Sequence, residues 1–232
     1  MENLDIGSIS STSDSATDEQ QIKTLTSFDI FIRCIKRAEN LVNYESSKEK
    51  GIEFSDEHLC DSYRAAIVLS ISALDAFIRT LVISEIRTQL SNNKKPLNAK
   101  LATYIKNLLS QDILLEAARN YDLLERVEKT VREDFETKSF QGEWKISTYL
   151  ELVGYNDVIQ EVAIKANVNE KNLRRQLNVF TTRRHIIAHS GDYNLNQLPH
   201  KENDIKQEYA EECIKIVKLF AENITKIVKD GK

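Results

Sequence analysis

Residues Asn169 to Asp192 read NEKNLRRQLNVFTTRRHIIAHSGD, and the spacing of their apolar side chains decides the fold class. With Leu173 at zero and about 100° per residue, Leu177 falls at roughly 40°, Phe180 at roughly 340° and Ile187 at roughly 320°, one stripe of an amphipathic helix. Asn169 offers N-cap chemistry before Glu170, and Ser190 and Gly191 stop the helix just past His189. Arg184 falls at roughly 20°, inside the stripe, where an unpartnered guanidinium would cost on the order of several kcal/mol. It either snorkels to solvent or pairs with a buried carboxylate, as lone arginines do, or it is held there for use. His185 and His189 fall at roughly 120° and 160°, near Asn178 at roughly 140° and Thr182 at roughly 180°, so a polar flank adjoins the arginine.

Outward from this helix the chain has few punctuating residues. Its 6 Gly and 2 Pro in 232 residues are too few for the turns of a sandwich or barrel, and long helices fit this scarcity. Leu25, Phe28, Phe31 or Ile32, Ile35, Ala38 and Leu41 or Val42 recur at helical spacing and predict a first helix from Ile22 to about Tyr44. A polar linker from Ser46 to Glu53 follows, and Ser55 and Asp56 then offer a cap for a long helix reaching about Leu90. Its centre, Ala65 to Ile86, is apolar on most faces, which implies burial among several neighbours. A short helix around Leu97 to Leu108, another over Gln111 to about Phe135, a loop from Thr137 to Lys145 and two short helices around Gly154 are expected next. The last helix runs through Ile205, Tyr209, Cys213, Ile216 or Val217, Phe220, Ile224 and Ile227. Residues 1–20, rich in Ser, Thr and Asp and lacking apolar periodicity, read as a disordered tail ahead of one domain over residues 21–232.

The formal charge of −4 weighs against a surface uniformly basic for nucleic acid. Glu2, Asp5, Asp14, Asp18 and Glu19 all lie in the tail, however, so the remainder is close to neutral and leaves room for a local basic patch. No stretch approaches the ~20 uninterrupted apolar residues of a membrane span, and the N-terminus lacks the regions of a signal peptide. The expected location is therefore cytoplasmic. Cys34, Cys60 and Cys213, odd in number and without CxxC spacing, read as small hydrophobes in a reducing compartment. His185 and His189 have the spacing at which two imidazoles can share a zinc ion, but nothing nearby in the sequence clearly completes a ligand set. His58 and His200 look incidental, and no metal or other cofactor is expected.

Arg184-His185-Ile186-Ile187-Ala188-His189 resembles the signature of the HEPN superfamily: an arginine, usually a polar residue after it, and a histidine after four intervening residues. Ser190-Gly191-Asp192, and Ser72-Ala73-Leu74-Asp75-Ala76-Phe77-Ile78 in the long apolar helix, are similar in particular to its RiboL-PSP-associated branch. The resemblance implies an all-α HEPN-type helical bundle, a homodimer, and RNA as partner in a toxin or antiviral-defence setting. It assigns catalysis to Arg184, His185 and His189. Tyr193 stands four residues after His189, whereas HEPN toxins restrained by nucleotidyltransferase antitoxins resemble one another in a Tyr two residues after the His. That spacing weighs against such an antitoxin and leaves another partner protein open.

Arg184 and His189 differ by about 140° around an ideal helix, so one copy does not aim both at the same atom. Two copies packed across a two-fold axis, as the resemblance implies, present each residue twice at one cleft. The chemistry is then attack of an RNA 2′-hydroxyl on its own phosphate, with His189 as base, Arg184 compensating charge, and His185 holding the phosphate or acting as the partner acid or base. Lys171, Arg174, Arg175 and Arg183 are either a solvated face or RNA-backbone contacts. Asp75 either pairs with Arg79 four residues on or is the buried counter-charge that orients Arg184. A catalytically silent HEPN module, binding RNA or a nucleotide or only dimerising, is the alternative function. A zinc hydrolase built on His185 and His189 is a third.

Overall fold

The computed structural model describes residues 26–43, 55–92 and 94–231. The predicted tail over 1–20, the linker over 46–53 and the expected helix start at Ile22 lie outside the described residues. Among those described there are nine helices and a single two-residue β-ladder. The fold is all-α, as the periodicity predicts.

Side-chain caps begin several of the helices. Thr26 forms a reciprocal capping box with Asp29 at the start of α1 (Ser27–Val42). Ser55 accepts from the backbone of His58 to open α2 (Asp56–Ser91), Asn98 opens α3 (Ala99–Leu108), and Ser110 opens α4 (Gln111–Asn120). The centre of the bundle is α2, which packs against α1, α5 (Leu123–Glu136), α6 (Glu143–Leu152), α8 (Glu170–Ser190) and α9 (Gln207–Asp230), while α7 (Val158–Ala166) packs on α8 and α9. Because it meets neighbours on several sides, α2 buries Ile67, Ile71, Leu74, Phe77, Ile78 and Val82 in one continuous core. Phe31 of α1 lies 5.5 Å, centroid to centroid, from Phe77, and Phe135, Phe140 and Tyr149 form a second aromatic cluster where α5 and α6 meet.

Three expectations are corrected. The stretch over 111–135 is two helices, because Tyr121 adopts a left-handed conformation (φ 59°). Asp122 N–H donates to Ala117 O at 3.1 Å and Tyr121 N–H to Ala118 O at 3.4 Å, the Schellman pairing that ends a helix. The turn lets α4 bury Ala117 and α5 bury Val127, Val131 and Phe135 in different directions. The loop expected over 137–145 ends earlier, since Gly142 at φ +81° caps α6, which begins at Glu143. Finally, α2 is long and apolar enough, by length and composition, to cross a membrane, but most of its apolar stretch is buried within the bundle. Cys213 is fully buried on α9, and burial pushes its thiol up, which keeps it protonated.

Candidate active site

Helix α8 is anchored along its first half and uncovered along its second. The Asn169 side chain accepts from Asn172 N–H at 2.9 Å, and Leu173, Leu177 and Phe180 are buried, with Phe180 edge-on to Tyr209 of α9 at 5.2 Å. These are the first three residues of the predicted stripe. Beyond Phe180 no residue of α8 is fully buried, and Ile187 is only partly covered.

The helix end is fixed instead by a buried carboxylate that the sequence reading did not single out. Gly191 (φ +57°) and Asp192 (φ +67°) both take left-handed conformations, turning the chain out of α8. Asp192 is fully buried; its Oδ2 accepts from Arg64 Nε of α2 at 2.9 Å and from Arg183 Nη2 at 2.6 Å. Asn203 closes the knot, its N–H and Nδ2 donating to the Asp192 carbonyl at 2.9 and 2.6 Å. Burial alone would lower the Arg64 pKa; the hydrogen bond to Asp192, with Glu202 and Asp61 nearby, more than offsets it and holds the guanidinium charged. Across this knot Tyr193–Asn194 (β1) pairs antiparallel with Lys201–Glu202 (β2), a ladder too short for periodicity to reveal. The Ser-Gly-Asp continuation was the one available signal for Asp192. Nothing local marks Arg64, which lies 128 residues away in sequence.

Of the four cations expected to contact RNA, two are committed to the fold. Arg183 is spent on Asp192 and on the carbonyls of Asn203 and Asp204 at 3.3 and 3.1 Å, because its position on the helix faces the loop before α9. Arg174 lies between Glu170 and Glu143, paired to both, and ties α8 to the first turn of α6. Lys171 and Arg175 are exposed; Arg175 bonds only to Asn172 Oδ1, at 2.9 Å, among the described residues. The counter-charge role for Asp75 is likewise corrected. Its Oδ2 pairs with Arg79 at 2.9 Å and its Oδ1 accepts from Phe140 N–H at 2.7 Å, so this carboxylate fixes the approach to α6 and not Arg184.

Arg184 itself makes no ion pair and no hydrogen bond among the described residues, and its Nε is buried without an acceptor. Thr181, one turn earlier, and Gln141 also bury oxygens without donors, and Arg79 and Arg183 each bury a like Nε; those two arginines are held through their other nitrogens, so what sets Arg184 apart is that none of its nitrogens has a partner among the described residues. Beside Arg184, the exposed rings of His185 and His189 touch, with centroids 4.3 Å apart. The structure therefore brings the two imidazoles together on an open flank next to a half-buried, uncompensated arginine. Among the described residues no group of three His, Cys, Asp or Glu side chains could hold a metal ion, so the two-imidazole zinc site finds no third ligand among them.

A family profile described as RiboL-PSP-HEPN matches residues 32–230, from α1 to the end of α9. No curated protein and no solved structure matches the chain. The profile spans the described bundle from within α1 onward, including α8 and the buried Asp192 that closes it, and the chain belongs to the RiboL-PSP-HEPN family.

Proposed function

We propose that this chain is a metal-independent endoribonuclease whose site is completed by a second copy packed against α8. Family membership supports an RNase-type or nucleotide-binding module. The observation that carries the sharper reading is Arg184, a half-buried guanidinium with an unpartnered Nε beside two exposed imidazoles. A cation left without a carboxylate among the described residues, in a fold that pairs Arg64, Arg79, Arg174 and Arg183, suits an anion that comes and goes.

In the reaction the RNA 2′-hydroxyl attacks the adjacent phosphorus while His189 takes its proton. The P–O5′ bond breaks, a proton reaches the leaving 5′-oxygen from His185 or from the partner copy's imidazole, and Arg184 donates to the phosphoryl oxygens as their charge grows. The products are a 2′,3′-cyclic phosphate and a 5′-hydroxyl, and DNA, lacking the nucleophile, is not cut. Uncontrolled cleavage of cellular RNA is harmful, which fits a toxin or phage-defence setting in which a partner protein restrains the enzyme. The test is end-labelled RNA incubated with the protein in excess chelator. Cleavage lost in both Arg184→Ala and His189→Ala supports the reading; cleavage by the double variant at the wild-type rate sinks it. One observation favours the catalytically silent alternative: with Arg174 and Arg183 internally paired, α8 offers RNA fewer cations than its sequence suggests. Binding without product would establish that reading.

A further inference from the structure

We propose that Trp144 and Lys145 form a nucleobase-stacking subsite on a single-stranded RNA track that runs along α8 to the two imidazoles; this rests on the RNA reading above. Trp144 is the chain's single tryptophan, yet it is 67% exposed on the first turn of α6. An indole is a large apolar body, and leaving it in water forfeits more burial than any other side chain would. Lys145 Nζ sits 4.7 Å from the ring centroid, over one face, which leaves the opposite face to a base while the ammonium can meet a phosphate.

The first turn of α6 is clamped to the middle of α8. Glu143 N–H donates to Asn178 Oδ1 at 3.0 Å, Asn178 Nδ2 donates to Glu143 Oε2 at 3.3 Å, and Gly142 lies beside Thr181, where an added Cβ would be in ordinary contact with its methyl at 3.6 Å. Trp144 is the next residue. On α8 itself, Lys171, Arg175, Asn178, Thr182, His185 and His189 are all exposed, and they occupy one straight stripe between roughly 120° and 200° of the helical wheel. The two cations that the fold leaves uncommitted, Lys171 and Arg175, therefore lie upstream of Asn178 on the same line as the imidazoles downstream. From Asn178 to His185 is about 10 Å along the axis, on the order of three nucleotide rises of ~3.4 Å. A strand whose base stacks on Trp144, with its backbone held by Lys145 and Arg175, thus reaches the imidazoles within a few nucleotides.

Because the chain has one tryptophan, its indole emission reports this site alone. The full-length protein is titrated with a fluorescein-labelled, fully 2′-O-methylated oligoribonucleotide, which has no nucleophile and so binds without being cut, and anisotropy measures the binding independently. Saturable quenching of Trp144 with the same midpoint as the anisotropy is expected, as is a loss of affinity of about tenfold in Trp144→Ala that Trp144→Phe partly restores. An oligonucleotide that binds without moving the emission, or that binds Trp144→Ala as tightly as wild type, overturns the subsite and leaves the nuclease reading in place. Emission that shifts on diluting the protein alone through its dimer dissociation shows a second copy covering the indole, and also overturns it. Quenching without any cleavage of unmodified RNA keeps the subsite and removes the nuclease. Failure of the oligonucleotide to bind at all overturns the subsite, and cleavage of unmodified RNA then decides the nuclease separately.

Discussion

Arg183 and Arg184 are chain neighbours in opposite circumstances, so replacing each with alanine separates a structural arginine from a chemical one. Arg183 gives the buried Asp192 one of its two guanidinium partners and also holds the Asn203 and Asp204 carbonyls. Removing one member of a buried pair costs about 3–5 kcal/mol when the survivor is stranded. Here Arg64 stays on Asp192 at 2.9 Å, so the loss is nearer that of hydrogen bonds to a charged group, about 2–3 kcal/mol. At about 2–4 °C per kcal/mol for a chain of this size, the Tm of Arg183→Ala should fall by about 4–12 °C. Arg184 has no carboxylate to strand among the described residues, whereas Arg183 has Asp192. Arg184→Ala should therefore leave stability unchanged or raise it by up to about 1 kcal/mol, while abolishing RNA cleavage. The assay is thermal and urea denaturation of both variants at equal protomer concentration, since the Tm of the proposed dimer would depend on it. A loss in Arg184→Ala as large as that in Arg183→Ala would show that a structural partner holds Arg184. The same reasoning would collapse if Arg183→Ala kept full stability and lost cleavage.

Asp192→Ala should cost about 3–5 kcal/mol, because it leaves Arg183 without a carboxylate and Arg64 with only the more exposed Asp61 and Glu202, and Asp192→Asn less, since it keeps an acceptor of the same shape; urea midpoints at constant m-value compare the two. Gly142→Ala should cost about 1–3 kcal/mol, because its φ of +81° is strained for any side chain although the neighbouring space admits a Cβ. A melt unchanged by that substitution means the α6 turn relaxes. A single 2′-deoxyribose at the cut position should block cleavage while chelator leaves it intact, as read on a sequencing gel; cleavage that tolerates the deoxy sugar rules out 2′-hydroxyl attack. Mixing Arg184→Ala with His189→Ala should restore about a quarter of wild-type activity if the arginine and histidine act in trans, because half of the re-formed dimers then hold one intact pair of two. Mixtures as inactive as their components, in dimers shown by mass to have exchanged, place the pair within one chain.

How much was legible follows the range of the interactions involved. The α8 stripe, its Asn169 cap and its Gly191 stop were readable because each depends on residues within a turn or two. The same holds for the Ser55 cap and for the Asp75–Arg79 pair, whose i,i+4 spacing was the local reading of that carboxylate. The break at Tyr121 was not readable: a left-handed tyrosine is set by the directions in which Ala117 and Val127 must be buried, which belong to the tertiary structure. Nor was the loss of Arg174 and Arg183 from the basic patch. Their partners, Glu143 and Asp192, come from a neighbouring helix and from the turn beyond α8, and no property of the helix segment itself distinguishes these two arginines from Lys171 and Arg175.

The two halves of α8 meet requirements that ordinarily conflict. A reacting constellation must be held to within ~0.5 Å, and the usual way to hold a side chain is to bury its helix. On α8 burial ends at Phe180, and the turns carrying Arg184, His185 and His189 lack that cover. Their backbone is pinned from beyond the helix end instead, where Asp192 joins Arg64 of α2, Arg183 of α8 and Asn203 of the following loop in one buried knot. A charged network serves this purpose where apolar contacts would not: it fixes position through a few directional bonds below the helix and leaves the flank above it open. That open flank then keeps two touching imidazoles, and a guanidinium with no partner among the described residues, available to whatever docks there. It also follows that Asp192 variants should lose cleavage along with stability, without Asp192 ever touching the RNA.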